Sequence, residues 1–242
     1  MAILAVLMGI MLATLGRVRQ ATRSFFCKNK LQTVVQRFAL FSDEYGHEDR
    51  GRDSAQLGPN RFRIEDFQER VYGIDEFYDG PKRLGAPIPF DPHDQPLMCP
   101  EGPHELGRRP GKLSGSQSGV APKGNVSVAF NMRLFAATRI IGSRITPAPV
   151  TLTPRILDRP WVPLVFDVDG AYAVNVLHRD PFFSAPAAGK TRGLYAGNRF
   201  WFPSLRHGGQ LHAGFIGGHV WSSPAPARAV GWDWQYQPPP DP

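Results

Sequence analysis

The first forty-five residues constrain the fold more than anything that follows them. Ala2 to Leu15 is an uncharged, almost wholly apolar run, and a helical pattern continues from it without a break. Beyond Arg17 and Arg19, apolar residues recur at Cys27, Leu31, Val34, Phe38, Phe41 and Tyr45. They stand alternately four and three apart, which is one stripe on one helix face. Gly46 and the polar His47 to Arg50 behind it predict the stop. Such a rod, greasy above and one-sided below, suits a protein anchored at one end and covered by a domain at the other.

The remainder reads differently. The 242 residues suffice for one domain, or one domain plus a tail. The 25 Gly and 24 Pro make about a fifth of the chain, against roughly 12% on average, which predicts loops and short strands in place of a helical bundle. The expected fold class is α+β: a long N-terminal helix packed on a twisted antiparallel β-sheet with long Pro/Gly-rich loops. The expected divisions are a helix over 1–46 (assembly half 1–16, amphipathic half 17–46), a loop-rich segment over 47–124, a β-sheet head over 125–230 and a tail over 231–242. Ile64 to Tyr72 is predicted as a short helix. Gly80 to Gly124 reads as loop, mobile around Ser114 to Gly119. Strands are predicted at Asn125 to Phe135, Trp161 to Asp167, Ala171 to Leu177, Arg199 to Phe202, Leu211 to Ile216 and His219 to Trp221. The last two flank Gly217 and Gly218, a pair suited to a tight two-residue hairpin. Trp232, Trp234 and Tyr236 run into Gln237 to Pro242, read as a disordered tail.

The net charge of +7 is scattered and lies largely on loop arginines, so nucleic acid is not the expected partner. Anionic lipid or an acidic subunit would meet it equally well. Cys27 and Cys99 are read as two separate buried thiols, with a single bridge as the alternative in an oxidising compartment. Ala2 to Leu15 makes about 21 Å of helix, short of the roughly 30 Å of a bilayer core.

The segment from Ala2 to Gly46 resembles the N-terminal helix of bacterial type IV prepilin-like proteins. It is most similar to the pseudopilin-like group, related to the type II secretion pseudopilins, that carries a C-terminal His-x9-Asp-Gly motif. Leu15, Gly16, Arg17, Arg19, Cys27, Asn29, Leu31 and Gln32 follow the group's pattern of small residue, arginine patch, cysteine and Asn-Leu-Arg-Gln-like stretch. Met98-Cys99-Pro100 resembles its middle Cys-Pro-Ser segment, and Phe130 to Arg133 its Tyr-Gly-Met-Asn-like stretch. His207 and Gly218 match the C-terminal motif, with Gly217 where the aspartate stands. The group's leader and the start of its membrane helix have no counterpart, so the resemblance implies a start codon upstream of Met1 or, as the alternative, a truncated copy that cannot be processed. It implies a pilin-like fold and a non-catalytic, cofactor-free subunit. Such a subunit is anchored in the bacterial inner membrane with its head outside the cytoplasm. It assembles with other pilin-like subunits through Leu4, Leu7, Met8, Met11 and Leu15.

Two other function classes compete. A metal-dependent hydrolase would draw on His207, His212 and His219 with Asp167 and Asp169 across a sheet, although alternation need not place these on one face. A tethered glycan-binding module would use Trp201, Trp221, Trp232 and Trp234, for which core packing is the commoner use. Asp167-Val168-Asp169-Gly170 fails as a calcium loop, because position twelve is His178, and reads as a tight turn between two strands. Gly189-Lys190-Thr191 lacks the upstream glycine of a phosphate loop, where Ser184 stands.

Overall fold

The computed structural model describes residues 2–43, 57, 60–72, 98–99, 101–102, 126–187 and 193–239. It is an α+β protein with one long helix against an antiparallel-rich sheet. Helix α1 (Ala2–Asp43) is continuous over 42 residues, about 63 Å at helical rise. Cys27, Leu31, Val34, Phe38 and Phe41 are buried, with Val35 and Ser42 beside them. Tyr45 and Gly46 lie outside the described residues. Among the described residues no helix is long and apolar enough to cross a membrane.

Helix α2 (Ile64–Tyr72) falls on the expected stretch. Asp66 in its first turn accepts the backbone N–H of Arg63 at 2.7 Å, the returning half of a capping box. Phe62 just ahead is pinned by backbone bonds to Leu152 in both directions. Its ring and that of Phe67 then meet Phe38 and Phe41 of α1 at 5.2–6.2 Å, mostly edge to face. Such aromatic pairs add to plain area burial.

Five strands form the main sheet: β1 (Val128–Asn131), β4 (Pro163–Asp167), β5 (Phe183–Ser184), β6 (Leu211–Phe215) and β7 (Val220–Ser223), in the order β5-β1-β4-β6-β7. The β1–β5 pair is parallel and the others antiparallel. β2 (Ala136–Ile141) and β3 (Arg144–Pro149) form a separate hairpin. Strands β1, β4 and β6 are buried along their whole length, so both faces are covered. Alternation sends His212 and Gly214 of β6 toward α1 and Ala213 and Phe215 away from it. At Gly214 a Cβ would lie 2.7 Å from Val35 Cγ2 and 3.3 Å from the Leu31 carbonyl; glycine lets the helix come this close. The far face is covered by tryptophans: Trp234 packs on Phe166 and Trp232 on Phe215, each at 5.0 Å.

Several expectations are corrected. Ala171 to Leu177 is not a strand: it falls in helix α3 (Gly170–Asn175) and the turn after it, because the Asp169 carboxylate caps it by accepting the Tyr172 N–H at 2.9 Å. Arg199 to Phe202 forms no strand and follows a single 3-10 turn. Asn125 to Phe135 shortens to β1, since Asn131 turns the chain by accepting the N–H of Arg133. The tail is not disordered through residue 239. Trp234 donates to the Pro226 carbonyl at 2.8 Å, Gln237 donates to the Arg133 carbonyl at 2.7 Å, and Pro238 is buried. Its apolar residues are the lid on the second face of the sheet.

Candidate site at the helix-sheet junction

A buried polar cluster forms where α1 first meets the sheet. Asp167 closes β4 and is 0% exposed. Its Oδ2 accepts the backbone N–H of His212 at 2.8 Å and lies 3.1 Å from His207 Nε2. The other ring nitrogen of His207, Nδ1, lies 2.7 Å from Glu101 Oε2. Both nitrogens thus have a carboxylate oxygen close by, and Nδ1 makes no hydrogen bond in this arrangement. Arg206 approaches Asp167 at 3.8 Å and donates to the carbonyls of Ser127 and Val168. Burial draws its guanidinium below the ordinary value, and Asp167, Asp169 and Glu101 draw it back up.

His212 stacks on His207 with ring centres 4.0 Å apart and planes 3° from parallel. Its Nε2 is 2.8 Å from Ser24 Oγ of α1 and its Nδ1 is 2.8 Å from Ser222 Oγ of β7. Burial pushes its pKa down to about 4; Asp167 opposes this, while His207, Lys28 and Arg206 reinforce it. The ring is neutral at pH 7, one nitrogen donating and one accepting while the hydroxyls rotate to suit. A ring this reluctant to take a proton suits hydrogen bonding between helix and sheet better than activation of Ser24 as a nucleophile.

Cys27 and Cys99 are joined by a disulfide with Cα atoms 5.3 Å apart, which corrects the reading of two separate thiols. Cys99 is held by donating its N–H to Ser127 Oγ, and its Sγ lies 3.5 Å from His207 Nε2. Cys27, Cys99 and His207 bring three potential ligand atoms within 4.8 Å of one another. While the sulfurs are bonded to each other they are not thiolate donors. A cleft of about 330 Å³ opens beside the cluster, lined by Gly16, Arg19, Gln20, Arg23, Glu101 and Arg206. Glu101 Oε1 and Arg206 Nε are buried and make no hydrogen bond.

The turn that presents His207 is Gly208-Gly209, with φ of +64° and +81° and a bond from the His207 N–H to the Gln210 carbonyl. This is the two-residue turn with positive φ at both positions that glycine favours. The expected pair, Gly217-Gly218, works otherwise. Ile216 to Gly218 form a three-residue loop in which Gly218 alone has positive φ, at +85°. Gly217 is small for a different reason: a Cβ there would lie 2.6 Å from Pro160 Cβ. The position that matches the motif aspartate has no room for a side chain. The loop is tied to α1 by Gln32, whose amide donates to the Gly218 carbonyl.

Of the five residues in the hydrolase reading, His207, His212 and Asp167 come together. Asp169 is occupied as a helix cap, and His219 stacks on Phe215 at 4.8 Å elsewhere. The Asp167 to Gly170 segment is a strand-to-helix turn, not one between two strands. Of the tryptophans, Trp232 and Trp234 are buried, which removes both from any exposed platform, whereas Trp221 is 48% exposed. Of the assembly residues, Leu15 is exposed; the side chains of Leu4, Leu7, Met8 and Met11 lie outside the described ones. So do residues 189–191. Ser24, Glu101, Arg206 and Ser222 were not anticipated. Ser24 had one signal: it continues the four-three stripe backward from Cys27, a polar residue on a buried helix face. Comparison with family models, curated proteins and solved structures gives no match.

Proposed function

We propose that this chain is a non-catalytic subunit, pseudopilin-like or minor-pilin-like, that is membrane-anchored and assembles through the upper part of α1. The observation that supports it most is that α1 outruns its own domain. Residues 14–22 are all exposed, and large apolar groups stand on the surface at Leu15, Val18, Phe25 and Phe26. A helix gains little stability without a packed face, and apolar groups presented along a rod are suited to neighbouring rods. Head-to-tail packing of that kind builds open helical polymers. The cross-linked, hydrogen-bonded junction below it supports a role in holding rod and head at a fixed angle.

A photoreactive residue at Val18 of the full chain, expressed in bacterial cells, tests this. The expected result is adducts with the first helix of another copy or a related subunit, and recovery in the membrane fraction. A freely soluble monomer without adducts at Val18 would overturn the reading.

A further inference from the structure

We propose that reduction converts the disulfide junction into a zinc site, with Cys27 Sγ, Cys99 Sγ and His207 Nε2 as ligands and water in the fourth position. The three ligand atoms lie within 4.8 Å of one another. In a zinc tetrahedron with ordinary bond lengths, a sulfur and a nitrogen ligand stand about 3.6 Å apart. The corresponding separation here is 3.5 Å from Cys99 Sγ to His207 Nε2. That edge is in place while the disulfide is intact. The sulfur–sulfur edge must open, to about 3.8 Å, once the covalent bond between Cys27 and Cys99 is gone.

The surroundings fit as well. A zinc-bound histidine ordinarily gives its other N–H to a carboxylate, which fixes the ring and raises its basicity. For His207 a carboxylate stands within reach of that role, Glu101 Oε2 at 2.7 Å from Nδ1, although Nδ1 makes no hydrogen bond while the disulfide is intact. Zinc with two thiolates is neutral, so it adds no net charge beside the buried Arg206. Glu101 also lines the open cleft and so marks a way in for the ion. Both sulfurs and the imidazole are buried, so the ion would sit inside the helix-sheet junction.

The chemistry balances with a thiol reductant. Two external thiols give up two electrons and two protons and become a disulfide; the Cys27–Cys99 bond breaks to yield two thiols. Zinc binding then releases those two protons, together with the one His207 Nε2 carries when the ring is protonated. Helix α1 would thus be fastened to the 98–102 segment in either redox state, by a covalent bond or by a metal.

The test uses the full chain, incubated with zinc with and without a thiol reductant under argon, then desalted and assayed for metal. About one zinc per chain is expected after reduction and less than a tenth of that without it. Cobalt in place of zinc should give a thiolate charge-transfer band and the visible absorption of a tetrahedral site, a readout that needs no variant. Cys27→Ser should abolish that band, and Glu101→Gln should weaken zinc binding about 10- to 100-fold. Reduced protein that binds no more zinc than oxidised protein, or cobalt bound without a thiolate band, would overturn the proposal.

Discussion

The two halves of α1 belong to one uninterrupted helix but live under different rules. From Cys27 to Asp43 every residue on one face is buried against the sheet or against α2; from 14 to 22 none is. Helical propensity does not separate them, since both are helical. What separates them is whether a partner surface exists in the same chain. In the lower half β6 supplies it, down to a glycine at the crossing point. In the upper half the chain supplies none among the described residues, and the apolar groups there stand exposed.

Mutations can break this contrast in order of size. Phe38→Ala removes a ring that is 0% exposed and wedged among Phe62 and Phe67; chemical denaturation should show a loss of about 4 kcal/mol. Cys27→Ser, which opens a link of sequence separation 72, should lower stability by about 3 kcal/mol in non-reducing buffer. Acid should act next. The folded pKa of His212 lies below its unfolded value, at about 4, so the unfolded chain binds the proton more tightly. Stability is then fully present above about pH 6.5 and falls as pH drops toward 4, levelling off below that. Discounted for partial solvent screening of the ring, the loss should reach about 2 kcal/mol, and His212→Gln should flatten that part of the pH profile. Gly214→Ala should cost about 1 kcal/mol by pushing Val35 off the strand. Phe25→Ser, in the upper half, should change monomer stability by less than about 0.5 kcal/mol while abolishing the proposed adducts at Val18. A large loss from Phe25→Ser would erase the contrast altogether.

The lower half was legible in the sequence because its stripe is local and its period is that of a helix. The same holds for α2, and for β4 and β6, whose apolar runs are long relative to their turns. The β2–β3 hairpin was not legible: much of it is exposed on both faces, and Pro147 and Pro149 sit within β3, so neither alternation nor composition marks it. α3 was misread because one capping carboxylate outweighs the β-propensity of its few residues. The polar cluster was legible only in part, as His207, His212 and Asp167, and its other members were not. Its members come from α1, from the 98–102 segment, and from β4, β6 and β7, and no spacing along the chain links Ser24 to His212 or Glu101 to His207. The sequence did hold Gly208-Gly209 and Gly217-Gly218 as equal-looking pairs. The structure distinguishes them: one bends the backbone, the other yields space to Pro160.

The bond between residues 27 and 99 also has a mechanical meaning. A pull on the free end of the rod would tend to peel it from the sheet, starting at its uppermost contact, and Ser24 and Cys27 sit at that point. The sulfur bridge acts there as a rivet. Tension arriving along the helix passes through it into the 98–102 segment, and the rest of α1 together with α2 is shielded from traction until that rivet fails.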